Sequence, residues 1–214
     1  MRSPAAAGAD FSDVLPSPTS PAASPSHPSP GRHYYLAVDR IQFKMRTLLE
    51  LLGVVAERRV GLPIAICVSS RDELDAVCAA VANLPFVSLS PLYSDQAEAE
   101  RASVLDKFRQ ATAQWNHATK ATNITESSKP ESTCSKLSII VATDACLPLS
   151  AMAEAPLMAR VLMNYELPAK KEAYLRHGIV INMVVGGEVA TLKALEESSG
   201  LLIAEMPIHV SEIL

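Results

Sequence analysis

No apolar run in this 214-residue chain approaches the length of a membrane span, and no signal-peptide core is visible. A soluble, intracellular protein is therefore expected. Basic charge is scarce too: 19 Lys and Arg stand against 23 Asp and Glu, giving a net charge of −4 and a pI near 5.7. A chain that binds nucleic acid unaided usually shows a basic face, so the overall balance argues against strong free-standing affinity of that kind. Cysteine is sparse and scattered. Cys67, Cys78, Cys134 and Cys146 form no C-x-x-C pair and have no histidine at ligand spacing, which favours buried or free thiols over a zinc site or a disulfide frame. The phosphate-cradling pattern G-x-x-x-x-G-K-[ST] is also missing; the only adjacent glycines, Gly186 and Gly187, precede Glu188.

Proline, by contrast, is plentiful at the front. Hydrophobic residues at 49% and charged residues at 20% are ordinary for a globular chain, but 15 prolines are too many to spread through packed structure. "SPAAAGADFSDVLPSPTSPAASPSHPSP" has too few large apolar side chains to offset the entropy of ordering, so residues 1–32 read as a disordered tail. The tail is hydroxyl-rich, as targeting peptides are. Yet its basic residues are only Arg2 and Arg32, it contains Asp10 and Asp13, and no arginine-rich amphipathic turn appears. Cytoplasm or nucleus is the expected location, with organelle import the alternative.

From residue 33 onward, strand-length apolar runs alternate with amphipathic stretches. "HYYLAVD" (33–39), "LPIAICVSS" (62–70), "FVSLS" (86–90), "LSIIVAT" (137–143), "ARVLMNY" (159–165) and "GIVINMVV" (178–185) read as strands. Helices are predicted after the first, with Phe43, Leu48, Leu51, Leu52 and Val55 on one face, and over 71–82, 95–110 and 187–199. A weakly helical segment at 145–158 and a short helix in "PAKKEAYLR" complete the pattern, and a polar stretch at 112–136 reads as a loop insertion. Ser70 or Ser69 is a candidate N-cap, with Asp72 and Glu73 in the first turn where the helix dipole favours them. Unbroken apolar strands between helices imply a parallel sheet covered on both faces, a three-layer α/β domain over 33–214. In such sheets ligands meet the loops at the carboxyl ends of the strands, here beginning at Ser69, Ser90, Thr143, Asn164 and Val185.

At those loops a resemblance emerges. "YYLAVDRIQFKMRTLLELL", "AICVSSRDELDAV", "VLDKFRQ", "IIVATD", "VLMNYELPAKKEAYL", "INMV" and "LIAEMPIHVSEIL" stand in the order and spacing of the second RecA-like domain of DEAD-box RNA helicases. The chain is most similar to the translation initiation factor 4A group, over most of 33–214 apart from 112–136. The resemblance implies a RecA-like fold, a role in RNA metabolism or translation, and protein partners of the kind that meet the second helicase lobe. For the family it also implies ATP and Mg²⁺.

The departures fall on the nucleotide loops. Where the family continues from Thr-Asp into Ala-Arg-Gly-x-Asp, this sequence reads "ACLPLSAMAEAPLMA" (145–159). Where the family has a histidine–arginine–glycine–arginine run, "YLRHGIVINMV" leaves only Arg176, His177 and Gly178 before the strand. An arginine at that place stabilises charge on the transferred phosphoryl group, worth roughly 10³–10⁵ in rate in related systems. No D-E-A-D string is present to hold the metal. The expectation is a non-enzyme with no catalytic residue, no cofactor and no metal, acting as an interaction module. The alternative is part of an active helicase, its first lobe supplied by another chain or its coding sequence incomplete across Tyr174–Gly178.

The resemblance also marks candidate RNA contacts, each with a plainer use. Thr143 and Asp144 close the "IIVATD" strand, where the matching threonine touches an RNA phosphate; both residues also serve as caps. Arg101 matches a family arginine that supports RNA contact, but Glu98 stands where its glutamine partner belongs, and an i,i+3 ion pair between them is the favoured reading. Ser69 and Arg71 occupy the motif IV loop, yet "SSRDE" is explained by helix capping. Trp115, His117 and Lys120 in the insertion have the chemistry to stack on single-stranded RNA, against the plainer role of anchoring a loop. Tyr34, Tyr35 and Phe43 read as core or strand-face residues.

Overall fold

The computed structural model describes residues 32–122, 136–146, 157–168 and 178–214. Strands form where the apolar runs predict them: β1 (Arg32–Val38), β2 (Pro63–Val68), β3 (Val87–Leu92), β4 (Leu137–Thr143), β5 (Val161–Asn164) and β6 (Ile179–Val185). A short β7 (Ile203–Glu205) comes from the terminal segment. Their order is β3-β4-β2-β5-β6-β1-β7, and every pairing is parallel. Central β2 is buried at all its positions, as an unbroken apolar run must be when both faces are covered. At the β3 edge, Pro91 sits within the strand, where its missing N–H leaves no bond unmade.

Helices α1 (Lys44–Arg58) and α2 (Arg71–Val81) cover one face, seating Leu48, Leu52, Val55 and Val77 on Ile64, Ile66, Met163 and Ile181. Helices α3 (Glu98–Thr122) and α4 (Val189–Ser199) cover the other, with Leu105, Phe108 and Leu195 against Cys67, Ile140, Leu162 and Val180. This is the expected three-layer architecture. Gly200 ends α4 in the left-handed region, φ 67°, which a side chain would strain.

Three local readings are corrected and one element is added. Phe43 is 39% exposed rather than core, because Ile41–Phe43 form a 3-10 turn that shifts the helical phase by one residue; Lys44 takes the inward position instead. Helix α3 runs to Thr122 instead of ending at 110, so the first part of the polar stretch is helical. Its Ala, Gln and Lys content is compatible with helix, and Thr112 and Trp115 face inward, buried and half-buried. Strand β3 continues past Ser90 to Leu92. The terminal segment supplies an edge strand, pairing Tyr35 with Glu205. The segment 145–158 beyond Cys146, the "PAKKEAYLR" helix, Arg176, His177 and the tail up to residue 31 lie outside the described residues, except Leu157, Met158 and Pro168 at their margins. Among the described residues no helix is long and apolar enough to cross a membrane.

Two asparagines stand fully buried between central strands. Asn164 on β5 donates through Nδ2 to Oδ1 of its register partner Asn182 on β6 at 2.8 Å, and Asn182 donates to the Tyr34 carbonyl on β1 at 2.9 Å. Asn164 Oδ1 has no partner among the described residues.

Candidate functional site

The carboxyl end of the sheet gathers the predicted residues into two clusters. The first forms where β2 turns into α2. Ser70 adopts an extended backbone and its Oγ accepts from the Glu73 N–H at 3.2 Å, so the cap falls on Ser70 and not Ser69. Ser69 donates its N–H to Glu166 Oε2 at 2.7 Å, across from the end of β5. Arg71 donates to Asp95 Oδ2 at 2.6 Å while its guanidinium lies 5.1 Å from the Tyr93 ring centroid. Tyr93 in turn donates its hydroxyl to Asp75 at 2.6 Å. That hydrogen bond, before burial, pushes the Tyr93 phenol up to about 12, and the bond from Arg71 holds the Asp95 carboxyl below its usual range.

The second cluster forms where β4 ends. The Arg101 guanidinium on α3 donates to the Cys146 carbonyl at 2.6 Å. Among the described residues the ion pair with Glu98 that the spacing predicts is not formed. Thr143 Oγ1 donates to Cys146 Sγ at 3.1 Å, and the turn closes with Cys146 N–H on the Thr143 carbonyl at 2.9 Å. Asp144 accepts from the Cys67 thiol at 2.6 Å. Burial first, then the Asp144 charge, pushes that thiol well above its ordinary range, so Cys67 stays protonated. Thr143 and Asp144 thus make internal side-chain contacts, to Cys146 and Cys67. Gln96 accepts the Tyr93 N–H at 3.1 Å.

Three groups escaped the sequence reading. Glu166, two residues beyond β5, anchors the Ser69 amide. Asp95 and Asp75 hold the Arg71–Tyr93 pair. Lys44, 1% exposed, bridges to Glu188 at 3.0 Å, beside the Tyr165 ring at 5.6 Å, and Glu188 also accepts the Val185 N–H at 2.9 Å. The signal for Lys44 was available. It stands four residues before Leu48 on the apolar stripe of α1, where a charge needs a partner. Among the described residues no three His, Cys, Asp or Glu side chains come together as a metal site.

No family profile matches the chain. It is 22% identical over 193 residues to the ATP-dependent RNA helicase eIF4A of Neosartorya fischeri, and 23% identical over the same length to that of Schizosaccharomyces pombe, covering 86% of this chain in both cases. Among solved structures, the C-terminal domain of the DEAD-box protein Dbp5 overlays with a TM-score of 0.58 at 18% identity, covering 86% of this chain and 96% of that one. This chain resembles eIF4A helicases in sequence and shares the RecA-like fold of the C-terminal domain of DEAD-box proteins. It spans about 40% of the length of the helicases it matches. The DEAD-box proteins also include E. coli SrmB, seen bound to the regulator of ribonuclease activity A, with a TM-score of 0.57 at 13% identity over 86% of this chain and 95% of that one. A further one is the S. cerevisiae Dbp5 C-terminal domain bound to Gle1 and IP6, with a TM-score of 0.57 at 18% identity over 81% and 88%. Ser69, Arg71, Thr143 and Asp144 lie in the loops that follow β2 and β4.

Proposed function

We propose that this chain is a non-catalytic interaction module of helicase descent, working in RNA metabolism or translation by docking on a protein partner. The observation that carries the reading is the state of the carboxyl rim. The Ser69 amide and the Arg71 guanidinium, candidate phosphate ligands, are both engaged by the chain's own carboxylates, Glu166 and Asp95. Arg101 is turned to the Cys146 carbonyl. A phosphate backbone would have to displace two anions that are already in place and would meet Asp72, Glu73 and Asp75 beside them, so like charge opposes its approach. The sequence supports the same reading for nucleotide: the Walker pattern, the D-E-A-D string and the arginine run are missing from these 214 residues. ATP and Mg²⁺ would lack both their cradle and the cations that offset transition-state charge. Protein partners on SrmB and Dbp5 support docking of a protein on a fold of this kind.

Isothermal titration of the full chain with ATP·Mg²⁺, paired with phosphate release in the presence of RNA, tests the proposal. No saturable heat and no release above buffer are expected; RNA-stimulated turnover would end it. A second reading, an active helicase assembled with a first lobe from another polypeptide, draws on the 40% span of the relatives. Co-purification of the chain with a polypeptide carrying a Walker lysine favours that reading. Recovery of partners without one favours the module.

A further inference from the structure

Cys67 and Cys146 stand far apart in the chain, yet both are buried in the apolar cluster that α3 and α4 make with the sheet. The topology joins them. Cys67, next to last in β2, is the register partner of Ala142 on β4. Directly after that pair the chain reverses, in the turn that the Cys146 N–H closes on the Thr143 carbonyl at 2.9 Å. The two sulfurs therefore meet consecutive residues: Cys67 Sγ donates to Asp144 at 2.6 Å, and Cys146 Sγ accepts from Thr143 Oγ1 at 3.1 Å. They lie near enough that a charge on Cys146 adds to the upward push on the Cys67 thiol. Arg101 pins the turn by donating to the Cys146 carbonyl at 2.6 Å. The cover is thin, because Thr143 and Asp144 are half-buried and Ala145 is exposed. A cysteine that only fills space in a core acts as a small hydrophobe and needs no polar partner; each of these sulfurs has one. Cys78, by contrast, packs against the cluster on the other face of the sheet.

We propose that Cys67 and Cys146 are a dithiol modification site, which a peroxide converts to a disulfide across the carboxyl rim. Their partners assign the order. Cys67 is held protonated beside Asp144 and is a poor first target, since the thiolate is the reactive form. Cys146 adjoins the exposed Ala145 and has no carboxylate on its sulfur among the described residues. In the first step the Cys146 sulfur takes one peroxide oxygen: the O–O bond breaks, an S–O bond forms, and the thiol proton leaves with the other oxygen as water. In the second, the Cys67 sulfur attacks that sulfenic sulfur. The S–S bond forms, the S–O bond breaks, and the Cys67 proton passes to Asp144 and on to the departing hydroxide. One peroxide and two thiols give one disulfide and two waters. The bond would tie the end of β2 to the turn after β4, the two loops that hold Ser69, Arg71, Thr143 and Asp144, and would release Asp144 from its thiol partner. A reducing compartment is compatible with such a pair, because disulfides formed there are transient and redox-sensing. The inference goes beyond the docking role and does not rest on it.

The intact protein, freed of reductant, is exposed to hydrogen peroxide under native conditions. Free thiols are then blocked with iodoacetamide and the peptides mapped by mass spectrometry without reduction. The Cys67 and Cys146 peptides are expected joined, two hydrogens lighter than their sum, and dithiothreitol should separate them. Cys78 and Cys134 should carry the alkyl label. Cys67→Ser should leave Cys146 as a sulfenic acid that dimedone captures, while Cys146→Ser should leave Cys67 unoxidised. Asp144→Asn, which keeps the shape but cannot take the proton as readily, should slow closure by about tenfold, with dimedone capture of Cys146 persisting longer. If a cysteine variant fails to fold, the joined peptide of the native chain carries the test alone. Absence of that peptide would overturn the proposal. So would pairing through Cys78 or Cys134 as often as between these two, dimedone capture of Cys67 in a folded Cys146→Ser, or closure in Asp144→Asn as fast as in the native chain.

Discussion

The two ends of the sheet hold their charged groups differently. At the carboxyl end, charge is structural: Glu188 holds buried Lys44, Asp95 holds Arg71, Glu166 holds the Ser69 amide, and Asp144 accepts the Cys67 thiol. At the amino end, just before β5, the exposed Arg160 meets no carboxylate among the described residues and instead lays its guanidinium 5.3 Å from the Trp115 ring centroid. The difference teaches how a scaffold can hold polar groups at its rim. Such groups are costly unless something satisfies them, and in this chain neighbouring side chains do so.

That contrast can be broken by substitution. The largest loss is expected in the layer common to both ends: Leu162→Ala, wholly buried on β5, should cost about 2–5 kcal/mol in urea unfolding. A much smaller loss would mean the sheet is less tightly packed than its burial indicates. Next comes the rim. Glu188→Ala strands the Lys44 ammonium; a severed buried pair costs about 3–5 kcal/mol, and because Glu188 is partly exposed about 2–3 kcal/mol is expected. Glu188→Ala combined with Lys44→Met should recover most of it. Failure to recover would show that the pair does more than satisfy itself. Ser70→Ala removes the α2 cap and should cost about 1 kcal/mol, read as a lower urea midpoint at unchanged slope.

The last expectation is a direction. Burial holds the His33 imidazole below its usual range, so the folded state binds its proton later than the unfolded chain does. Stability from this group is complete above the unfolded pKa near 6.5 and falls as pH drops through that value toward the folded one. Urea midpoints at pH 7.5 and pH 5.5 should differ in that sense in the native protein and differ less in His33→Asn. An equal difference in both would assign the acid sensitivity elsewhere.

Most of the scaffold was legible. β2, β4 and β6 were readable because strands covered on both faces cannot alternate with polar residues, and α2 because Ser70, Asp72 and Glu73 mark its start. The extension of α3 was obscured because small and polar residues, Ala111, Thr112 and Thr119, share the inward side with a single Trp115. The site was half legible. Position was readable, since Ser69, Arg71, Arg101, Thr143 and Asp144 all reach the expected rim. Partnership was not, because Glu166 meets Ser69 from 97 residues away in the chain and Asp95 meets Arg71 from 24 away. Sequence spacing carries no record of such tertiary contacts.

The buried asparagine pair has one more consequence. Its two side-chain hydrogen bonds run crosswise through β5, β6 and β1, so none of these strands can part from its neighbour without exposing a carboxamide that the others hold. The three should behave as one cooperative unit in deuterium labelling, their main-chain protons exchanging together and last, while the fringe at β3 and β7 opens earlier.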